Sequence, residues 1–285
     1  MSYWYRGQWS NATVLPIAYD DPGLLYGATV FSTCRVYEKS LNHPLTCWPA
    51  HRSRLTTSLL SLGWVLPTWE QIEQGINAVL EHSPDQPIIR ITIFPDGREL
   101  IFGRELPIDL AQRQQQGIIA KVVEGFDRSL PIHKTGNYLA PWLAKQQVAP
   151  AAAEAILTAA SGRWLETSTG NLWGWDGEKF YSPAINSLAG IARAYLVQWL
   201  QTQGKIVDEQ PWNLNVIDRL VGLAYSNSVV QLVPIHTVIS ATATRHYPQP
   251  DFSALISAFL GDFTENRKKT WLEGSAGNER SVNIS

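Results

Sequence analysis

Cysteine is scarce in this sequence. Cys34 and Cys47 are the only two, and their spacing fits neither a zinc ribbon nor a redox pair, so two reduced thiols are expected. Long apolar runs are missing as well. No segment offers the ~20 uninterrupted apolar residues of a membrane span, and the opening MSYWYRGQWS has neither the basic nor the apolar stretch of a secretory signal. A cytoplasmic protein is therefore expected, and the sequons at Asn11 and Asn283 carry no weight without a route to the secretory pathway. Blocks of like charge are also lacking: 23 basic residues face 25 acidic ones, for a net charge near -2. That balance argues against nucleic acid or an anionic membrane as the main partner. Neither an internal repeat nor a heptad run is present. What remains is a chain of 285 residues, 45% of them apolar, enough to bury a large core and, at about 150 residues per domain, to make two domains.

The start, YWYRGQW, reads as two short aromatic strands joined at a glycine, and TVFSTCRVYE has the β-branched density of a further strand. AHRSRLTTSLLSLG then places His51, Leu55, Leu59 and Leu62 at helical spacing, stops at Gly63, and leaves Arg54 toward the solvent or sheet edge of that helix. A second helix, TWEQIEQGINAVLEH, opens with Thr68 and Gln71 in a capping-box arrangement. IIRITIFP and ELIFGREL, separated by DGR, form an expected hairpin. The Gln-rich stretch 107–117 reads as a boundary, which divides the chain into a small α/β domain over 1–114, a larger domain over 115–265 and a mobile tail over 266–285. In the second domain the pattern gives a strand IIAKVVE, a helix GNYLAPWLAKQQVAP, a helix-to-strand segment AAAEAILTAASGRWLE, a strand pair NLWGWDGEKFYSP and a helix GIARAYLVQWLQTQG. Alternating helices and strands in two lobes imply an α/β (α+β) fold with a ligand cleft between them.

Four places carry candidate chemistry. Lys134, in PIHKTGNY, stands at a strand-to-helix turn, where desolvation makes an amine nucleophilic toward an aldehyde; taken alone, such a lysine reads more readily as a solvated surface charge. Glu166 ends a strand in RWLETSTGNLW and offers a carboxylate to a heteroaromatic nitrogen or, in the plainer reading, to water. SLAGIAR supplies a helix start at which free amides attract phosphate, and SNSVVQLVPI adds Ser226, Asn227 and Ser228, which are also ordinary loop residues.

Taken in order, HRSRL, HKTGNY, LETSTGNLWGWDG, SLAGIAR and SNSVVQLVPI resemble the successive signatures of the class IV aminotransferases, the fold type IV pyridoxal-phosphate enzymes, over about residues 3 to 240. The resemblance implies a two-domain fold with the site in the cleft, pyridoxal 5'-phosphate as cofactor and a homodimer. It implies further that Lys134 is the catalytic Schiff-base lysine, that Arg54, the backbone at Ile191 and Ala192, and Ser228 hold the phosphate, and that Glu166 faces the pyridine nitrogen. Two departures stand out: Ala192 replaces the family's usual threonine, and Gly27, Ala28 and Thr29 replace its Gly-Asp-Gly, which alters the substrate wall at Thr29.

Three branches compete under that resemblance: branched-chain transaminases, D-amino-acid transaminases, and 4-amino-4-deoxychorismate lyases, which make p-aminobenzoate and pyruvate for folate biosynthesis. The short Lys134-to-Asn137 spacing looks like the last two, and Arg35 in FSTCRVY resembles the lyase strand, with Arg98 in PDGRE as a second carboxylate clamp; either arginine reads equally as a surface ion-pair partner. The lyase ranks first, ahead of the transaminases. A non-catalytic reading, in which the 12 tryptophans and 10 tyrosines line an aromatic binding surface, ranks last, because most of those rings stand at core spacing.

Overall fold

Alternating side chains along three short strands decide where everything else goes. The computed structural model describes residues 2–247 together with Phe252, Leu255, Ile256 and Ala258, so the expected tail over 266–285 lies outside the described residues. The first half contains β1 (Tyr3–Tyr5), β2 (Gln8–Ser10), the short α1 (Pro22–Leu25), β3 (Val30–Arg35), α2 (Trp48–Ser61), α3 (Trp69–His82), β4 (Ile88–Ile93) and β5 (Glu99–Arg104). Its strands form one antiparallel sheet in the order β2-β1-β5-β4-β3. Ser32 pairs with Ile91 and Ile91 with Ile101, which puts Val30, Cys34, Ile89, Ile91 and Ile101 on one face. There they pack against Leu55 and Leu59 of α2 and Ile72 and Ile76 of α3. The opposite face, carrying Phe31, Thr33, Arg90 and Arg104, is left for something other than core.

The second half contains α4 (Leu110–Gln116), β6 (Ile118–Val123), α5 (Leu139–Val148), β7 (Glu154–Thr158), β8 (Trp164–Thr167), β9 (Asn171–Trp175), β10 (Phe180–Tyr181), α6 (Ile191–Thr202), β11 (Val207–Asp208), α7 (Leu214–Ile217), β12 (Gly222–Asn227), β13 (Gln231–Ile239) and β14 (Thr244–His246). Its strands build a nine-stranded mixed sheet in the order β11-β10-β9-β12-β13-β6-β7-β8, with β14 added on β13. The β13–β6, β6–β7 and β10–β11 pairs are parallel. The expected mixed α/β fold is thus a two-sheet architecture. Among the described residues no helix is long and apolar enough to cross a membrane. Four tryptophans enter the cores, Trp173 and Trp212 fully buried and Trp48 and Trp164 nearly so, whereas Trp142 is exposed.

Several sequence expectations need correction. The Gln-rich stretch 107–117 contains a helix, α4, held by the Arg113–Asp109 pair at 2.7 Å and by Gln114 Nε2 donating to the Val230 carbonyl at 2.9 Å. AAAEAILT holds no helix: β7 pairs in parallel with β6, so tertiary context overrides the helix preference of its alanines. Thr68 does cap α3, but the capping box is not made. Gln71 is drawn instead to Glu99, a buried carboxylate that takes three donors on one oxygen: Trp4 Nε1 at 2.9 Å, Gly7 N at 2.7 Å and Gln71 Nε2 at 2.8 Å.

Removing that acceptor leaves three donors unmet in a buried corner. Glu99→Ala is expected to lower stability by about 2–4 kcal/mol in urea unfolding, with Glu99→Gln recovering part of the loss. A change under about 0.5 kcal/mol would show that water replaces the carboxylate without cost.

Candidate active site

The free face of the small sheet and the ends of strands from the large sheet enclose a cavity of about 220 Å³. Strand register supplies one wall. Thr33 pairs with Arg90 and Ile88 with Arg104, so the two arginines are diagonal neighbours on the face that also carries Phe31. The large sheet contributes Glu166 from β8, Asn171 from β9 and Asn227 from β12, with the N-terminus of α6 between them.

Lys134 is placed by backbone bonds on both sides. Phe31 N donates to the Lys134 carbonyl at 2.8 Å, and Gly136 N donates to the Thr29 carbonyl at 2.7 Å, so the edge strand β3 holds the lysine loop. Gly136 is required there, because a Cβ would come within 2.2 Å of Thr29 Oγ1. Beside it His133 is buried with Nδ1 3.1 Å from Ser58 Oγ of α2. The far end of the same strand reaches the other wall, where Arg35 N donates to the Ser228 carbonyl at 3.2 Å. Lys134 Nζ lies 4.9 Å from the Phe31 ring centre and 5.2 Å from that of Tyr138. Loss of water within the cavity, together with the positive charges of Arg54 and Arg128, pushes its pKa well below the usual lysine value, and Glu166 opposes this only in part.

Glu166 is buried and doubly held. Its Oε1 accepts from Arg128 Nε at 2.7 Å and its Oε2 from Leu188 N at 3.2 Å, leaving lone pairs of the carboxylate for a further donor. Arg128 also donates to the Pro131 carbonyl at 2.5 Å and to that of His133 at 3.4 Å, tying the carboxylate to the lysine loop. This arginine carries no motif in EGFDRSL, and only the fold reveals its place.

At the other end α6 begins at Gly190 without a side-chain cap, so the first amides, at Ile191 and Ala192, lie at an open helix start. Gly190 is close-packed: a Cβ there would meet Asn171 Oδ1 at 1.8 Å. Arg54 donates from Nη2 to Ser32 Oγ at 2.8 Å and from Nη1 to the Ala189 carbonyl at 3.4 Å, while its buried Nε meets no acceptor among the described residues. Burial, then the charge of Arg128, brings its pKa down to about 10. Of the three polar residues expected nearby, Ser226 is spent on Trp173 Nε1 and Asn227 Oδ1 caps Val229 N and Val230 N. Ser228 lines the cavity.

The structure therefore brings Lys134, Arg54, Glu166, Ile191 and Ser228 to one cavity, with Ala192 on the first turn of the same helix. The three residues expected to contact substrate do not line it. Arg98 is committed to Asp21 and Asp96 and donates to Tyr5 Oη. The Arg35 guanidinium lies over the Tyr37 ring, 4.6 Å from its centre, and Thr29 packs on Gly136. Arg90 and Arg104 stand in their place. Burial and mutual repulsion bring Arg90 to about 10 and burial lowers Arg104, and neither has a carboxylate partner among the described residues.

The inventory is lopsided: Arg54, Arg90, Arg104, Arg128 and Lys134 face one carboxylate, Glu166. An orphaned arginine nitrogen, an uncapped helix start and a serine at one end fit a phosphate group. A desolvated amine and a carboxylate with spare lone pairs fit the aldehyde and ring nitrogen of pyridoxal phosphate.

The sequence profile of the amino-transferase class IV family matches residues 29–238. Among solved structures, the Escherichia coli branched-chain amino acid aminotransferase superposes with a TM-score of 0.78 at 21% identity, covering 95% of this chain and 97% of that one. A hypothetical aminotransferase from Mycobacterium tuberculosis in a PLP-bound form gives 0.76 at 15%, covering 90% and 98%. A proposed 4-amino-4-deoxychorismate lyase gives 0.69 at 25%, covering 88% and 97%. No curated protein sequence is similar enough to count as a match.

The excess of cations predicts anion binding without any substrate. Inorganic phosphate at about 100 times its dissociation constant is expected to stabilise the cofactor-free protein by about 2.7 kcal/mol, read as a rise in Tm, and Arg54→Gln to lose most of that gain. An unchanged Tm in phosphate would show that the cluster binds no anion.

Proposed function

Because the chain belongs to the amino-transferase class IV family, a family of pyridoxal-phosphate enzymes, we propose that it is a 4-amino-4-deoxychorismate lyase that releases p-aminobenzoate and pyruvate. Arg54, Ser228 and the amides of Ile191 and Ala192 would hold the cofactor phosphate. Ala192 lacks the family's hydroxyl, and its amide alone serves. Glu166, fixed by Arg128, would accept the pyridine N–H, and Lys134 would hold the aldehyde carbon covalently. When bound, pyridoxal phosphate supplies a sink for electrons released at the substrate carbon that bears the amine.

Lys134 Nζ, its pKa pushed well below the usual lysine value by desolvation, is the base that takes the proton from that carbon. The observation that carries the choice of substrate is the pair Arg90 and Arg104, two guanidinium groups without carboxylate partners on the substrate wall. Aminodeoxychorismate carries two carboxylates, one on the ring and one on the enolpyruvyl ether, and would engage both. Branched-chain and simple D-amino acids carry one, although a dicarboxylic keto acid such as the α-ketoglutarate bound in one structural relative carries two. After proton removal, cleavage of the ether C–O bond makes the ring aromatic, and the departing enolpyruvate becomes pyruvate on taking up a proton. No second amino acid enters. The family likeness is also the ground for reading the working form as a homodimer.

Purified protein incubated with pyridoxal phosphate and aminodeoxychorismate, with no keto acid, should give p-aminobenzoate and pyruvate in equal amounts, and Lys134→Ala should give neither. Arg90→Gln, at a half-buried position, should lower kcat/KM by roughly 30-fold, as expected when a charged bond worth about 2 kcal/mol is lost, and Arg104→Gln, at an exposed one, should lower it less. Turnover that appears only after an amino acid and a keto acid are supplied would replace the lyase with a transaminase.

A further inference from the structure

His51 takes no part in the site described so far, yet it is wired to it. It is fully buried on α2, three residues before Arg54. Its Nδ1 lies 2.7 Å from Ser32 Oγ, the oxygen that accepts from Arg54 Nη2 at 2.8 Å. Its other nitrogen, Nε2, has no partner among the described residues. The ring lines a second cavity of about 20 Å³, room for a single water. Ile191, Asn227 and Ser228 line both this cavity and the main one, so the small cavity backs onto the end that fits a phosphate.

The hydrogen count decides the tautomer. Burial, with the charges of Arg54 and Lys134 nearby, pushes the His51 pKa well below the usual histidine value, so the ring is neutral and carries one hydrogen. Arg54 can only donate, so Ser32 Oγ must accept from it. With the imidazole hydrogen on Nδ1, Ser32 would accept twice, its own hydrogen would meet no acceptor, and Nε2 would be a second unmet group. If Ser32 donates to Nδ1, one group alone is unmet: an Nε2–H donor at the small cavity. Since each buried unmet group costs about 1–3 kcal/mol, the second arrangement is favoured.

We propose that His51 is a positioning residue for the phosphate end of the site: through Ser32 it fixes the Arg54 guanidinium, and its Nε2–H donates to the single water of the small cavity, which bonds the phosphate. The inference rests on the cofactor reading given above. It adds a relay behind the residues that touch the anion, with the imidazole working as a neutral donor instead of a cation. Ser32 works in both directions, as acceptor for the arginine and donor to the histidine.

The test compares pyridoxal 5'-phosphate with pyridoxal, which lacks the phosphate, by absorbance titration of wild type and His51→Asn. Asparagine keeps an acceptor near the position of Nδ1 and removes the Nε2 donor. Expected is a roughly 5- to 20-fold weaker dissociation constant for pyridoxal 5'-phosphate, in line with one bond to a charged group, and a change under about twofold for pyridoxal. Equal losses for both compounds, or no loss for either, would overturn the relay. Should His51→Asn fail to fold, nitrogen-15 NMR of the wild-type histidines reads the same point. An Nε2–H tautomer whose exchange-protected proton shifts on adding inorganic phosphate supports the relay, and an Nδ1–H tautomer or an unmoved proton overturns it. A wild-type protein that binds the two compounds equally would sink the cofactor reading itself, a different result from any of these.

Discussion

Repulsion among like charges is the constraint around which this molecule is arranged. Four arginines and a lysine share one cavity with a single carboxylate, and the protein neutralises only one of them, by tying Arg128 to Glu166. The other arginines stay charged and incompletely solvated, a state that costs stability and is relieved when anions arrive. Loss of water first, and the same repulsion second, lower the Lys134 pKa. The cationic lining that fits an anion thus also tunes the amine beside it.

The helix at HRSRL, the hairpin at PDGR and the helix start at SLAGIAR were legible because each rests on local signals: period, turn residues and a glycine stop. Arg90 and Arg104 were not. The run IIRITI states that alternate residues face opposite ways, but not that one face meets helices and the other a cavity; that follows only once Ile89 and Ile91 pack on α3 and α2. Arg98 was ambiguous for the reverse reason. Of its two readings, clamp or ion-pair partner, the second holds, because Asp21, distant in sequence, folds back onto it beside the neighbouring Asp96. Gln71 shows the same competition on a smaller scale, since a buried carboxylate outbids the helix end for its amide. In each case a partner remote in the chain overrode a sound local rule.

The two sheets divide the work. The large one, with its parallel centre and buried aromatic core, sets the carboxylate, the helix start and the serine. The small one brings the arginine wall and, through α2, Arg54 and the His51–Ser32 pair. The first half therefore serves both ends of the cavity, the arginine wall directly and the other end through Arg54, while the second half supplies Lys134, Glu166, the helix start and Ser228.

Strand β3 and the Thr29 carbonyl before it join those halves chiefly through main-chain groups, at the Lys134 carbonyl, at Gly136 and at the Ser228 carbonyl, with the Phe31 ring edge-on to Tyr138 as a side-chain contact. Main-chain bonds do not depend on which side chains the strand carries. Thr33, which faces the cavity from that strand, can accordingly be exchanged over generations without displacing the lysine, whereas Phe31, set between Arg90, Tyr138 and Lys134, cannot. A lineage carrying this scaffold can thus reshape the cavity wall at one strand position while the next keeps the lysine in place.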